Sequence, residues 1–187
     1  MKKQLYTIIT GLLALLIGLS ACKKTESYAK QRKAEKAAWE AYVANNGLDL
    51  RGTDPATRQA DSVYCFSQAA PWPENLYFMT PSGAYLRLEA DDPNATSPQL
   101  GNTIILRYKS YDLEGVMFGQ NTFEREGMVI VYTPGNGSPS VGLNEALAYL
   151  HHGSRAQVLI DSKLGNSTQY NAVVTLRFEL TSITVTR

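Results

Sequence analysis

Two cysteines and two histidines are all that this 187-residue chain offers to chemistry that needs a thiolate or an imidazole. His151 and His152 are neighbours in a stretch with helical patterning, so their side chains point about 100° apart and cannot grip one metal ion together. Both are distant in sequence from Cys65, which as a nucleophile would need a base beside it. Cys65 therefore reads as a small apolar residue in a strand. An excess of one charge sign is missing too. The 18 basic and 17 acidic side chains form no basic patch, and nucleic acid is not expected as a partner. There is no Gly-x-Ser-x-Gly elbow, no His-Glu-x-x-His helix and no legible pair of acid and base carboxylates. Gly135-Asn136-Gly137 lacks the Lys-Ser/Thr of a phosphate loop and reads as a turn. Asp91-Asp92 with Asn94 lacks the later acidic ligand of a calcium loop and reads as a solvated turn. Neither a metal nor a cofactor is expected.

Long apolar runs are limited to Leu5–Leu19, which falls short of the ~20 residues a spanning helix wants. Lys2 and Lys3 precede it and Ser20-Ala21 follow it, which is the plan of an export signal. Leu19-Ser20-Ala21-Cys22 resembles the lipobox of bacterial lipoproteins. That resemblance implies cleavage before Cys22, acylation of its thiol and amine, and a membrane tether. Cys65 is then the one remaining thiol, and no internal disulfide can form. Because Cys22 is followed by Lys23-Lys24-Thr25-Glu26 rather than an acidic run, the expected location is the outer membrane, facing the periplasm.

Residues 22–47 read as a linker and one helix. Ser27 is a possible N-cap, Ser27–Asn46 is rich in Ala, Lys, Arg and Glu, and Asn45-Asn46-Gly47 is a stop. Its apolar stripe is narrow: Tyr28, Ala38, Trp39, Tyr42 and Val43 predict docking by the second half, onto its own domain or onto a second copy. Residues 48–82 read as irregular, with strand candidates at Ser62–Phe66 and Leu76–Met79. Hairpin chemistry at Thr80-Pro81-Ser82-Gly83 leads to Ala84–Glu89. Further strands are expected at Thr103–Tyr111, Met128–Thr133, Arg155–Ile160 and Ala172–Thr186, with one short helix at Gly142–His152. The histidines would cap that helix before Gly153. Many β-segments and one late helix describe an antiparallel α+β domain.

Residues 83–187 resemble the FKBP-type peptidyl-prolyl cis-trans isomerases. The resemblance rests on four pieces in order. They are Gly101-Asn102-Thr103 leading to Tyr108, Leu113-Glu114-Gly115-Val116-Met117-Phe118, Val141–Leu147 running on to Leu150–Ala156, and Leu176-Arg177-Phe178-Glu179-Leu180. It implies a curved antiparallel sheet with one short packed helix, here preceded by the N-terminal helix. It also implies a site: Tyr108 and Phe118 as pocket aromatics, and a backbone N–H near Ser140 to receive the substrate carbonyl. Leu143 stands where the family has its pocket-floor Trp and Leu164 where it has a Tyr. Val129 and Leu176 stand at usual Phe positions, and Gly119 replaces an Asp. These changes turn an aromatic cup into a smaller aliphatic one.

The function implied by the resemblance is prolyl isomerisation or chaperoning of exported proteins at a degenerate site. The site would take proline-containing peptides and sit at the membrane through lipidated Cys22. A non-catalytic binding subunit of an envelope protein complex is the alternative. A glycan- or peptide-binding surface with Trp72, Tyr77 and Tyr85 as an exposed platform is a second one.

Overall fold

The computed structural model describes residues 26–122 and 127–186, so Cys22 and the export signal lie outside the described residues. The chain divides into compact units between Gln31 and Arg32, and the sheet belongs to the second. In order, the elements are α1 (Tyr28–Asn45), β1 (Asp49–Arg51), α2 (Arg58–Phe66), β2 (Leu76–Met79), β3 (Tyr85–Ala90), β4 (Thr103–Asp112), β5 (Met117–Asn121) and β6 (Met128–Val131). They continue with α3 (Val141–Leu147), β7 (Arg155–Ile160), a 3-10 turn (Ser162–Leu164), α4 (Ser167–Ala172) and β8 (Leu176–Thr186). The sheet runs β1-β2-β3-β7-β8-β4-β5, and β6 pairs with β4 beside β5. No helix among the described residues is long and apolar enough to cross a membrane.

The fold is α+β, with two corrections to the expected plan. The β1–β2 pair is parallel, so the sheet is mixed rather than antiparallel. Among the described residues there are four α-helices, so α2 and α4 are additions to the expected N-terminal helix and single packed one. Ser62–Phe66, expected as a strand, is the end of α2, and Cys65 is therefore a helical residue. Val63-Tyr64-Cys65-Phe66 has strand-like propensity, which tertiary context overrides. The Asp61 carboxylate accepts from Gly52 N–H and Thr57 Oγ1, and Arg58 Nε donates to the Gly52 carbonyl, fixing the helix start. Cys65 and Phe66 then turn inward while Val63 and Tyr64 stay exposed.

The central pair is β4–β8, in register from Thr103↔Thr186 to Asp112↔Leu176. Its apolar residues alternate as Leu176, Phe178, Leu180 and then skip to Ile183 and Val185. A bulge absorbs the skip where Arg107 faces Ser182 but Tyr108 faces Leu180, and Thr181 Oγ1 donates to the Arg107 carbonyl at 3.1 Å. Against this face lies α3, carrying buried Leu143, Ala146 and Leu147. Gly142 allows the approach: a Cβ there would meet Ile160 side-chain carbon at 2.8 Å.

The expected helix at 142–152 stops at Leu147, and the histidines do not cap it. His151 Nδ1 pairs with Asp91 at 2.9 Å, and His152 Nδ1 accepts from Val185 N–H at 3.1 Å. Asp91 is thus engaged rather than solvated, and Ser154 Oγ also donates to it. The last strand starts at Leu176 rather than Ala172 because α4 precedes it, capped by Asn166 and held by the buried Gln169 amide, which donates to the Ile160 and Val174 carbonyls.

Helix α1 packs on its own domain through an unexpected residue. Glu35, 6 % exposed, is the buried side chain of α1. Its carboxylate accepts from Ser162 N–H, Ser162 Oγ and Thr175 Oγ1, each at 2.9 Å, and pairs with Arg32. Arg32 also reaches both Asp161 carboxylate oxygens. One turn on, Trp39 stacks on Tyr85 of β3 with ring centroids 5.0 Å apart. Truncating Glu35 leaves three donors without their acceptor in a dry site and takes one of two carboxylates from Arg32, which costs more than an exposed ion pair. Glu35→Ala is expected to lower unfolding stability in urea by about 2–4 kcal/mol; a loss below about 0.5 kcal/mol would mean that the network does not hold the helix.

Candidate functional site

The strand register decides which residues can meet on the concave face. Tyr108 and Ser110 of β4 lie opposite Asn121 and Gly119 of β5, and opposite Leu180 and Phe178 of β8. The ring packed against Tyr108 is that of Phe178, with centroids 5.5 Å apart. Burial raises the Tyr108 phenol above its ordinary pKa, so it stays neutral. Ser110 Oγ donates to the Gly119 carbonyl at 3.1 Å, and a Cβ on Gly119 would come within 3.3 Å of that hydroxyl. A side chain at the position where the resemblance implied an Asp would crowd that hydroxyl.

The other expected site residues separate. Leu143 and Leu176 are core residues, 3 % and 2 % exposed, in the cluster that includes Phe178, and Leu164 packs on its margin. Phe118 falls at the irregularity where Tyr111 faces Met117 and Ser110 faces Gly119, and it is 40 % exposed. Val129 is 62 % exposed while its neighbour Ile130 faces the core opposite Ile104. Ser140 caps α3: its Oγ accepts from Leu143 N–H at 3.3 Å and its carbonyl from Asn144 N–H at 2.9 Å. Its own N–H has no acceptor among the described residues. The structure therefore brings Tyr108 together with Phe178, Leu143 and Leu176 within or against one core, and leaves Phe118 and Val129 outside it.

Phe178, which the sequence reading did not assign to the site, is the ring that packs against Tyr108. The signal was present: in Leu176-Arg177-Phe178-Glu179-Leu180 the aromatic itself stands in the inward alternation. The aromatic platform does not exist as an exposed surface. Trp72 and Tyr77 are each 2 % exposed, Trp72 lies edge-on to Phe66, and Tyr85 is covered by Trp39.

Chemistry elsewhere is muted. Burial pushes the Cys65 thiol up to about 11, so no thiolate is available near neutrality. His151, Asp91 and Ser154 form a hydrogen-bonded cluster beside a cavity of about 400 Å³. Ser154 donates to the carboxylate and not to the imidazole, so it lacks the activating geometry of a nucleophile. Among the described residues no group of three or more metal-ligating side chains converges.

No family model and no curated protein matches this sequence. Solved structures do match its shape. A DUF4827 family protein from Parabacteroides distasonis superposes with a TM-score of 0.63 at 18% identity, over 86% of this chain and 97% of the other. FkpA from Escherichia coli gives 0.50 at 17%, over 95% and 81%, and a multi-domain immunophilin from Arabidopsis thaliana gives 0.51 at 16%, over 64% and 49%. The fold is FKBP-like. At these identities the likeness speaks for the FKBP-like scaffold, and activity rests on the residues of the site.

Those residues predict unequal effects of truncation. Tyr108→Ala is expected to cost about 2–4 kcal/mol as a packed aromatic loses its partners, and Phe118→Ala under about 1 kcal/mol. Urea unfolding of both variants measures this, and equal losses would place the two rings in the same packed site.

Proposed function

We propose that this chain is an FKBP-like binding module of the cell envelope, tethered through Cys22, which engages a partner polypeptide without isomerising its prolyl bonds. The carrying observation is that Tyr108, Phe178, Leu143 and Leu176 pack on one another or on one core instead of lining an open cup. Catalysis of this isomerisation requires the twisted imide to be bound better than the planar one, since amide resonance sets a barrier of ~18–20 kcal/mol. That calls for a desolvated recess for the proline ring and a donor for the carbonyl. Ser140 N–H supplies a donor, but Leu143 and Leu176 are buried in the core and Phe118 stands exposed outside it. The lipobox and the FKBP-like fold together support a scaffold held at a membrane, and partner binding is the use such a scaffold retains when its cup is closed.

A protease-coupled assay on an Ala-Leu-Pro-Phe peptide tests this. The cis fraction is expected to relax at the uncatalysed rate, over tens to hundreds of seconds at 25 °C. A concentration-dependent acceleration that Tyr108→Ala abolishes would restore the isomerase reading.

A further inference from the structure

A cavity of about 360 Å³ lies where α3 meets the loop before it, on a wall made of Tyr132, Tyr149, Pro134, Val141 and Ala148. Its size falls in the range of small-ligand sites. One carboxylate is fixed in its lining. Asn144, 2 % exposed, gives its amide Nδ2 to the Ser138 carbonyl at 2.9 Å, which ties the loop to α3; its Oδ1 is sealed from solvent and is not open to an occupant of the recess. Glu145 is held by one oxygen only: Oε2 accepts from Thr80 Oγ1 at 2.8 Å and Ser82 N–H at 2.7 Å, and Oε1 has no donor among the described residues. The carboxylate is thereby oriented by the β2–β3 turn rather than free to swing into solvent.

The two phenols add no negative charge to the recess. Burial first, and the Glu145 charge second, hold both Tyr132 and Tyr149 above their ordinary pKa. One cation acts nearby: the field of Arg58 reaches Tyr149, but Arg58 Nε donates to the Gly52 carbonyl. A fixed carboxylate, aromatic rings and small apolar groups share one recess. They suit a donor-rich positive group on a hydrocarbon stem, because ring faces attract cations and charged hydrogen bonds are the strong ones. We propose that this cavity binds an ammonium carried on an apolar stem, the chemistry of a lysine side chain. This site lies apart from Tyr108 and Phe178, and it stands whether or not prolyl isomerisation occurs.

The probes are Nα-acetyl-lysine methylamide, n-butylammonium and the uncharged isostere Nα-acetyl-norleucine methylamide, titrated by NMR into the 15N-labelled chain. The capped lysine is expected to shift the Asn144, Glu145 and Tyr149 amides saturably, and the norleucine probe to bind at least about tenfold more weakly. Equal binding of n-butylammonium would identify a free amine as the natural source, and weaker binding a polypeptide. Glu145→Gln keeps an acceptor for Thr80 and Ser82 and should weaken the lysine probe about tenfold or more. Ala148→Trp, which fills the recess from an exposed position, should abolish the shifts. Equal affinity of the lysine and norleucine probes, or unchanged lysine binding in folded Glu145→Gln, would overturn the proposal.

Discussion

At Thr181 the last strand gives up one residue of its alternation, and the two halves of the core face stay in line only because it does. A strand of period two that met Leu176, Phe178, Leu180, Ile183 and Val185 without a bulge would turn its last two apolar residues to the solvent face. With the bulge opposite Arg107, all five look toward α3, and β8 remains paired with β4 along its length and with β7 over its first half. The position of Phe178 beside Tyr108 follows from that register. So does the closure of the would-be cup, since Leu176 and Leu180 flank Phe178 on the same face.

The N-terminal helix adds a second, electrostatic constraint. Its stripe is too narrow to dock by apolar area alone, and a carboxylate does what the stripe does not. Glu35 reaches the Ser162 backbone, Ser162 Oγ and Thr175 Oγ1, which bracket the 3-10 turn and α4. The segment between β7 and β8 is thereby fixed at both ends by one side chain. A buried ion cluster of this kind specifies an arrangement more than it stabilises one, because desolvation offsets most of the Coulombic gain.

Much of this was legible in residue order. β2 and β7 fall where alternation and turn chemistry predict them, β4 and α1 within a residue at either end, and the skip in β8 can be read in its apolar spacing. What was not legible depends on partners far away in sequence. α2 carries strand-like residues and is helical because Gly52, Asp61 and Arg58 tie its start. α4 is short, and the Gln169 amide supports it from inside the core. The site was half legible. Tyr108 and Ser140 stand on β4 and at the start of α3 as expected, whereas Phe118 and Val129 are exposed rather than on the core face. Spacing along a strand cannot report a bulge between Ser110 and Tyr111, and that irregularity is where Phe118 leaves the concave side.

On the reading proposed above, an FKBP-like sheet whose aromatic residues close on the core would bind a partner rather than twist an imide. The proposed ammonium site beside α3 has neither Tyr108 nor Phe178 in its lining, so partner contact and prolyl chemistry would use different surfaces. Titration of an Ala-Leu-Pro-Phe peptide into the 15N-labelled chain, followed at the amides of Tyr108, Ser140 and Phe178, tests the closure directly. The account predicts no saturable shift at these three positions; saturable shifts that converge on them would show an open proline cup and contradict it.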